Sequence, residues 1–147
     1  MSPTAEGHIV SLQLNVHHRG PMQVVESASL VGGEGIEGDR HASSREDRRG
    51  YHVLLIDQET LEALGLTPGT VRENVTTSGF DLASLAAGQR VALGEQAVIQ
   101  ISKPCAPCSR MDEVRSGLQQ ELEGRRGMLA SVVESGTVVV GDAITVL

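Results

Sequence analysis

The side chains best suited to covalent chemistry are two cysteines, Cys105 and Cys108, in the run Lys103-Pro104-Cys105-Ala106-Pro107-Cys108-Ser109-Arg110. A thiolate is both a nucleophile and a soft metal ligand, and it forms where positive charge is near and solvent has access. Ser109 and Asp112 stand at capping-box spacing, which predicts a helix with Ser109 as its N-cap and Cys108 directly before it. The N–H groups of a helix start, together with Lys103 and Arg110, favour a thiolate at Cys108. Cys105 lies three residues further from that field and is the weaker candidate. A reversible Cys105/Cys108 dithiol switch is open to such a pair. Zinc is not expected, because a structural site needs four ligands and His8, His17, His18, His41 and His52 do not fall at knuckle spacing. A thioredoxin-like pair has the same local pattern, but the surrounding βαβ alternation is missing.

Three further segments carry polar chemistry. Gly35-Ile36-Glu37-Gly38-Asp39-Arg40-His41 combines glycines, which allow close backbone approach, with an acceptor, a forked donor and a titratable ring. It is neither a phosphate P-loop nor a dinucleotide fingerprint. Arg72-Glu73-Asn74 interrupts a β-branched run. Arg125-Arg126-Gly127 ends the longest helical pattern, where basic residues suit the negative end of the dipole. The arginines of these segments and of the cysteine run are able to converge on one anion.

The elements that must position these residues are mostly short strands. Strands are predicted over residues 8–16, 23–31, 51–56, 71–77, 128–133, 137–140 and 143–147, with a hairpin formed by residues 90–93 and 97–102. Helices are predicted at residues 57–64 and 109–123, the latter with Met111, Val114, Leu118 and Leu122 on one stripe, and a helical turn at 81–87. In the first strand Val10, Leu12, Leu14 and Val16 are expected to face the core. The charged stretch Ala42–Gly50 reads as a mobile loop over the site. Glycine-rich breaks between short strands predict a mostly β, β-rich α+β domain spanning residues 1–147. Its core is a barrel-like curved antiparallel sheet with two or three short helices.

Composition narrows the function. The 147 residues carry a net charge of −7, and eleven of the twelve basic side chains are arginine. The charge disfavours nucleic acid and anionic membrane as general partners. Tyr51 and Phe80 are the only aromatic residues, too few for a base-stacking platform. No apolar run reaches the roughly 20 residues of a membrane span. No basic stretch followed by an apolar core marks residues 1–7 as a signal peptide, and a reducing, cytoplasmic setting is expected.

In order and spacing, these motifs resemble the MOSC domain, the C-terminal domain of molybdenum cofactor sulfurases, which also occurs as a free-standing small protein. The resemblance runs from about Gly7 to Leu147. It includes the glycine-rich motif, Arg72-Glu73-Asn74-Val75-Thr76 with Gly79-Phe80-Asp81-Leu82, the cysteine run, and Arg125-Arg126-Gly127 with Gly141-Asp142. It implies a barrel-like fold and a reactive cysteine, Cys108, acting as persulfide carrier or molybdenum ligand. It also implies binding of the pterin-based molybdenum cofactor (molybdopterin). The cofactor-binding set implied is Arg40, His41, Arg72, Asn74, Lys103, Arg110, Arg125 and Arg126. The aminotransferase-like desulfurase domain of the full sulfurases has no counterpart in this sequence, so a separate cysteine desulfurase is the expected sulfur donor and pyridoxal phosphate is not expected here. A molybdenum-dependent reduction of small N-hydroxylated substrates is the alternative activity.

Overall fold

The structure, a computed structural model, describes residues 6–147; the reading of the extreme N terminus lies largely outside them. Strand β1 (Gly7–Leu14) buries Ile9 and Leu12. The expected alternation through Val10 is broken by a register shift between Ile9 and Ser11 against a neighbouring strand. One extra residue reverses the face of every side chain before it, so Ile9 rather than Val10 enters the core. The next segment forms two strands, β2 (Gln23–Val25) and β3 (Ser27–Val31), and the glycine-rich loop contributes the two-residue β4 (Gly35–Ile36). There follow β5 (Val53–Asp57), α1 (Gln58–Ala63), β6 (Val75–Ser78), β7 (Arg90–Leu93) and β8 (Ala97–Pro104). The chain continues through α2 (Met111–Val114), α3 (Leu118–Glu121), β9 (Met128–Glu134), β10 (Gly136–Val139) and β11 (Ala143–Val146).

Seven strands close a ring in the order β11-β7-β8-β9-β5-β6-β1, with β1 pairing back to β11, and β2 attached outside β1. Strands β10, β3 and β4 form a smaller sheet. The barrel is mixed rather than purely antiparallel, because β5 and β6 run parallel. Parallel neighbours need a crossover, and the segment containing α1 supplies it. Ile9, Leu12, Val53, Leu55, Val91, Ile99 and Ile101 are among the side chains that fill the barrel.

A second cluster lies under the helices and includes Ile56, Leu61, Val71, Met111, Leu118 and Leu122. The helix expected over residues 109–123 is two single turns. Arg115 is extended and Gly117 adopts a left-handed φ of 87°, which breaks the pattern between α2 and α3. Val114 is consequently 46% exposed while the other three residues of the stripe are buried. The capping box does not form: Arg110 is the N-cap of α2 and no side chain caps it. The Asp112 carboxylate instead accepts from the Gln119 N–H at 3.0 Å, at the start of α3.

The loop read as a lid is anchored at several points. Ser43 N–H donates to the Glu34 carbonyl at 2.7 Å, and residues Glu46–Tyr51 form a 3-10 helix. His52, fully buried, accepts from Val132 N–H at Nδ1 (3.2 Å) and donates from Nε2 to the Ser43 carbonyl (3.0 Å). That pairing requires the neutral ring, and burial pulls the His52 pKa down accordingly. A Cβ on Gly35 would come within 3.3 Å of this ring, and the residue holds a φ of 116°, so the glycine there is dictated by the histidine. No described helix is long and apolar enough to cross a membrane.

Candidate functional site

One end of the barrel opens into a cavity of about 750 Å³, a size that accommodates a cofactor-sized ligand. Its walls come from the loops after β1 and β4, the 3-10 helix, the loop before β6, the end of β8 with the cysteine run, and the loop before β9. Arg40, Arg48, Arg72, Lys103, Arg110 and Arg126 line it, and no Asp or Glu does. Half of the twelve basic side chains of a −7 protein therefore face one space. Like charges gathered without counter-charges repel one another, and an anionic occupant offsets that repulsion.

Arg126 is the innermost of them. It is 6% exposed, and its Nε and Nη1 have no hydrogen-bond partner. Its place follows from the backbone. The Cys105 N–H donates to the Gly127 carbonyl at 2.8 Å, so the β8–β9 pairing carries Arg126 to the cysteines. A Cβ on Gly127 would lie 2.2 Å from the Leu55 carbonyl oxygen, and only glycine permits that approach. Burial pulls the Arg126 pKa down, while Cys105, Cys108 and Glu73 pull it up. Glu73 is itself fully buried, with Oε2 accepting from Gly69 N–H (2.9 Å) and Thr76 Oγ1 (2.7 Å) and Oε1 unpaired. Burial raises its pKa against the hydrogen bonds and the Arg126 charge.

Both cysteines line the cavity. Cys108 is exposed and Cys105 half-buried. Burial pushes the Cys105 thiol up, and Arg126 and Lys103 work against that. Because α2 is one turn long and uncapped, the helix-start field expected at Cys108 is weak; Cys108 shares the cavity lining with Arg126.

Other expected site residues divide by how their donors are used. Arg40, His41, Lys103 and Arg110 line the cavity. Lys103 Nζ donates to the Tyr51 hydroxyl at 2.7 Å and lies 4.7 Å from the ring centroid. Arg72 also lines it, yet its Nη1 donates to the Gly20 carbonyl (2.8 Å) and its Nη2 to Asn15 Oδ1 (2.8 Å) and the His17 carbonyl (3.0 Å). It contributes charge to the cavity while bracing the loop after β1, from a left-handed φ of 66°. Asn74 reaches the wall, but its Oδ1 accepts from Leu54 N–H and its Nδ2 donates to the Gln13 carbonyl and to Asp39 Oδ1. Its role is internal bracing rather than ligand contact. Arg125 is not part of the cavity at all: it is exposed, and its Nε closes the end of α3 on the Glu121 carbonyl at 2.8 Å. The helix-end role considered for the Arg-Arg pair thus falls to Arg125 alone.

Four polar lining residues lie outside the expected site set: Asn15, His18, Arg48 and Tyr51. Asn15 falls in the first predicted strand, His18 enters only as one of the histidines off zinc-knuckle spacing, and Arg48 and Tyr51 belong to the charged loop and to the start of a strand.

Asp39 joins the glycine-rich motif to its neighbours. Buried, it accepts from Asn15 N–H (2.7 Å), His41 N–H (3.0 Å) and Asn74 Nδ2 (3.0 Å), and the His41 ring lies 3.4 Å away. Burial acts to raise its pKa, but these hydrogen bonds and the His41 charge outweigh it, so the net direction is down. Asp39→Ala leaves those donors unsatisfied and is expected to cost about 2–4 kcal/mol of stability, measured by denaturant unfolding. With a folded-state pKa below the unfolded value of 3.8, the Asp39 contribution is present above about pH 4 and lost as pH falls through the lowered pKa. The acid limb of the unfolding profile should flatten in the variant.

The sequence profile of the MOSC domain matches residues 41–145. With most of the chain covered, the protein belongs to the MOSC domain family. Among solved structures it is similar to the YuaD protein of Bacillus subtilis (TM-score 0.81, 23% identity), covering 95% of this chain and 94% of that one. It also resembles YiiM of Geobacillus stearothermophilus (TM-score 0.73, 20% identity), covering 96% of this chain and 75% of that one. For YiiM of Escherichia coli the TM-score is 0.71 at 20% identity, covering 95% of this chain and 69% of that one. These likenesses establish the shared fold. No curated protein sequence matches this chain.

Proposed function

We propose that the cavity binds an anionic, phosphate-bearing ligand of the pterin-based molybdenum cofactor class, with Cys108 as the thiol that carries sulfur or ligates molybdenum. The observation that carries the reading is Arg126, a buried guanidinium with two unpartnered N–H positions behind two cysteines, in a cavity of six cations and no carboxylate. A buried unpaired charge is costly in an empty fold and is offset by an anionic partner. The donor set suits the cofactor class, since Arg40, Arg48, Lys103 and Arg110 offer charged donors to phosphate and Cys108 offers a soft thiolate. Among the described residues no group of three or more His, Cys, Asp or Glu side chains is placed to hold a metal, so a metal here would take its remaining ligands from the bound group. When bound, that group would supply a redox-active metal and sulfur ligands.

The chain's own contribution is electrostatic and positional. Arg126 favours the charged form of the Cys105 sulfur against burial, Lys103 fixes the Tyr51 hydroxyl, and Arg72 and Asp39 hold the surrounding loops. For sulfur carriage, Cys108, attacking as thiolate, takes the outer sulfur of a desulfurase cysteine persulfide; the donor S–S bond breaks, the desulfurase cysteine leaves as thiolate, and Cys108 becomes the persulfide.

The test is elemental analysis and intact mass spectrometry of protein made in a host that synthesises the cofactor. Stoichiometric molybdenum with a pterin mass, or one added sulfur localised to Cys108, is expected, and Cys108→Ser should lose it. Neither signal from a host shown to load another molybdenum protein would overturn the reading.

A further inference from the structure

His18 faces the cavity from a loop held in place by arginines of other elements. Arg72 Nη2 donates to the His17 carbonyl at 3.0 Å, Arg72 Nη1 to the Gly20 carbonyl at 2.8 Å, and Arg110 Nη2 to the His18 carbonyl at 3.4 Å. Arg40, from the loop after β4, shares the cavity wall with it, and Arg19 is its chain neighbour. The nearby carboxylates are engaged elsewhere. Glu113 meets Arg19 at 3.4 Å and Arg110 at 3.8 Å, and Asp39 is buried against Asn15, His41 and Asn74. His41, the other histidine of the wall, already has Asp39 beside its ring at 3.4 Å. His18 shares the cavity wall with Arg40, Arg72 and Arg110, and no Asp or Glu lines it.

We propose that His18 is a proton-linked anion contact: an anion entering this cavity brings a proton onto the His18 ring, which then donates to the anion. This rests on the cavity being an anion site. In the free protein Arg40 is the largest influence holding the His18 pKa below 6.5, followed by slight desolvation and by Arg110, Arg19 and Arg72. An anion among these arginines offsets their charge, so the ring regains its affinity for a proton. The sign follows by linkage. The bound form has the higher pKa and takes up a proton, so binding tightens as pH falls through the region of 6.5 and levels off below the free-state pKa. The effect selects for anionic ligands and requires no change of fold.

Sulfate serves as the probe, because it stays a dianion across this pH range and contributes no titration of its own. Sulfate affinity would be measured by calorimetry on the full chain at pH 8 and pH 5.5, in buffers of different ionisation heat. Wild type is expected to bind about three- to tenfold more tightly at pH 5.5, the scale of a pKa change of up to about one unit. Proton uptake should peak at roughly 0.3–0.5 per sulfate between the free-state and bound-state His18 pKa. His18→Gln should bind with the same affinity at both pH values, and His41→Gln should keep the pH dependence. A pH-independent wild type, or an unchanged dependence in His18→Gln, overturns the proposal while leaving the anion site standing. No sulfate binding by wild type at either pH overturns the anion site and the proposal with it.

Discussion

Replacing Cys108 by serine is expected to abolish sulfur carriage and cofactor retention, whereas Cys105→Ser should leave part of both. The reason is access and charge. Cys108 is exposed at the cavity, while Cys105 is half-buried with its thiol pushed up by burial. Thiolate reactions follow the ionised, accessible fraction. Iodoacetamide near neutral pH should modify Cys108 first, as read by peptide mass mapping over time. Faster labelling of Cys105, or equal inactivation by the two serine variants, would reverse the assignment.

The second large effect has two opposite parts. Arg126→Met is expected to stabilise the ligand-free protein and to remove most of its anion binding. The arginine is buried with two unpartnered nitrogens; a buried charge short of hydrogen bonds is costly, and an apolar side chain of similar length is expected to gain about 1–3 kcal/mol there. Glu73 then loses the Arg126 charge that lowers its pKa, so burial pushes that pKa further up. Loss of charged hydrogen bonds to an anion costs about 2–3 kcal/mol, or roughly 30- to 150-fold in affinity. Thermal unfolding with and without phosphate reads both parts: the variant should melt higher than wild type without phosphate and gain less from its addition. A variant that melts lower and responds like wild type would place Arg126 among purely structural residues.

Much of the barrel was legible because its strands carry local signals. The β-branched and aliphatic runs at residues 51–56, 90–93 and 97–102 are bounded by turn chemistry, and strands appear there within a few residues. The parallel β5–β6 pair was not legible, since pairing direction depends on where the intervening helix packs rather than on either strand's pattern. The long helix was over-read for a related reason. The stripe of Met111, Leu118 and Leu122 is real, but their burial under α1 is compatible with two turns broken at Gly117, and periodicity alone does not distinguish these cases.

For the site, the sequence by itself determined which chemistry is present: two thiols, an arginine-rich set of donors and glycines at positions where a side chain would collide. Only the tertiary structure decided which of those donors are free. Arg125 and Arg126 are adjacent and chemically identical, yet one closes a helix in solvent and the other is buried behind the cysteines. The β8–β9 register and the Cys105–Gly127 backbone bond make that choice. Arg72 and Asn74 lie in the motif the sequence singled out, but their side chains are consumed by the loop after β1, by β1 itself and by Asp39. His18 gains most of its charged surroundings from Arg40, Arg72 and Arg110, 22 to 92 positions away, with Arg19 beside it in the chain. A residue's type is written locally, whereas its free valences and its electric field are sums over neighbours that only folding brings together.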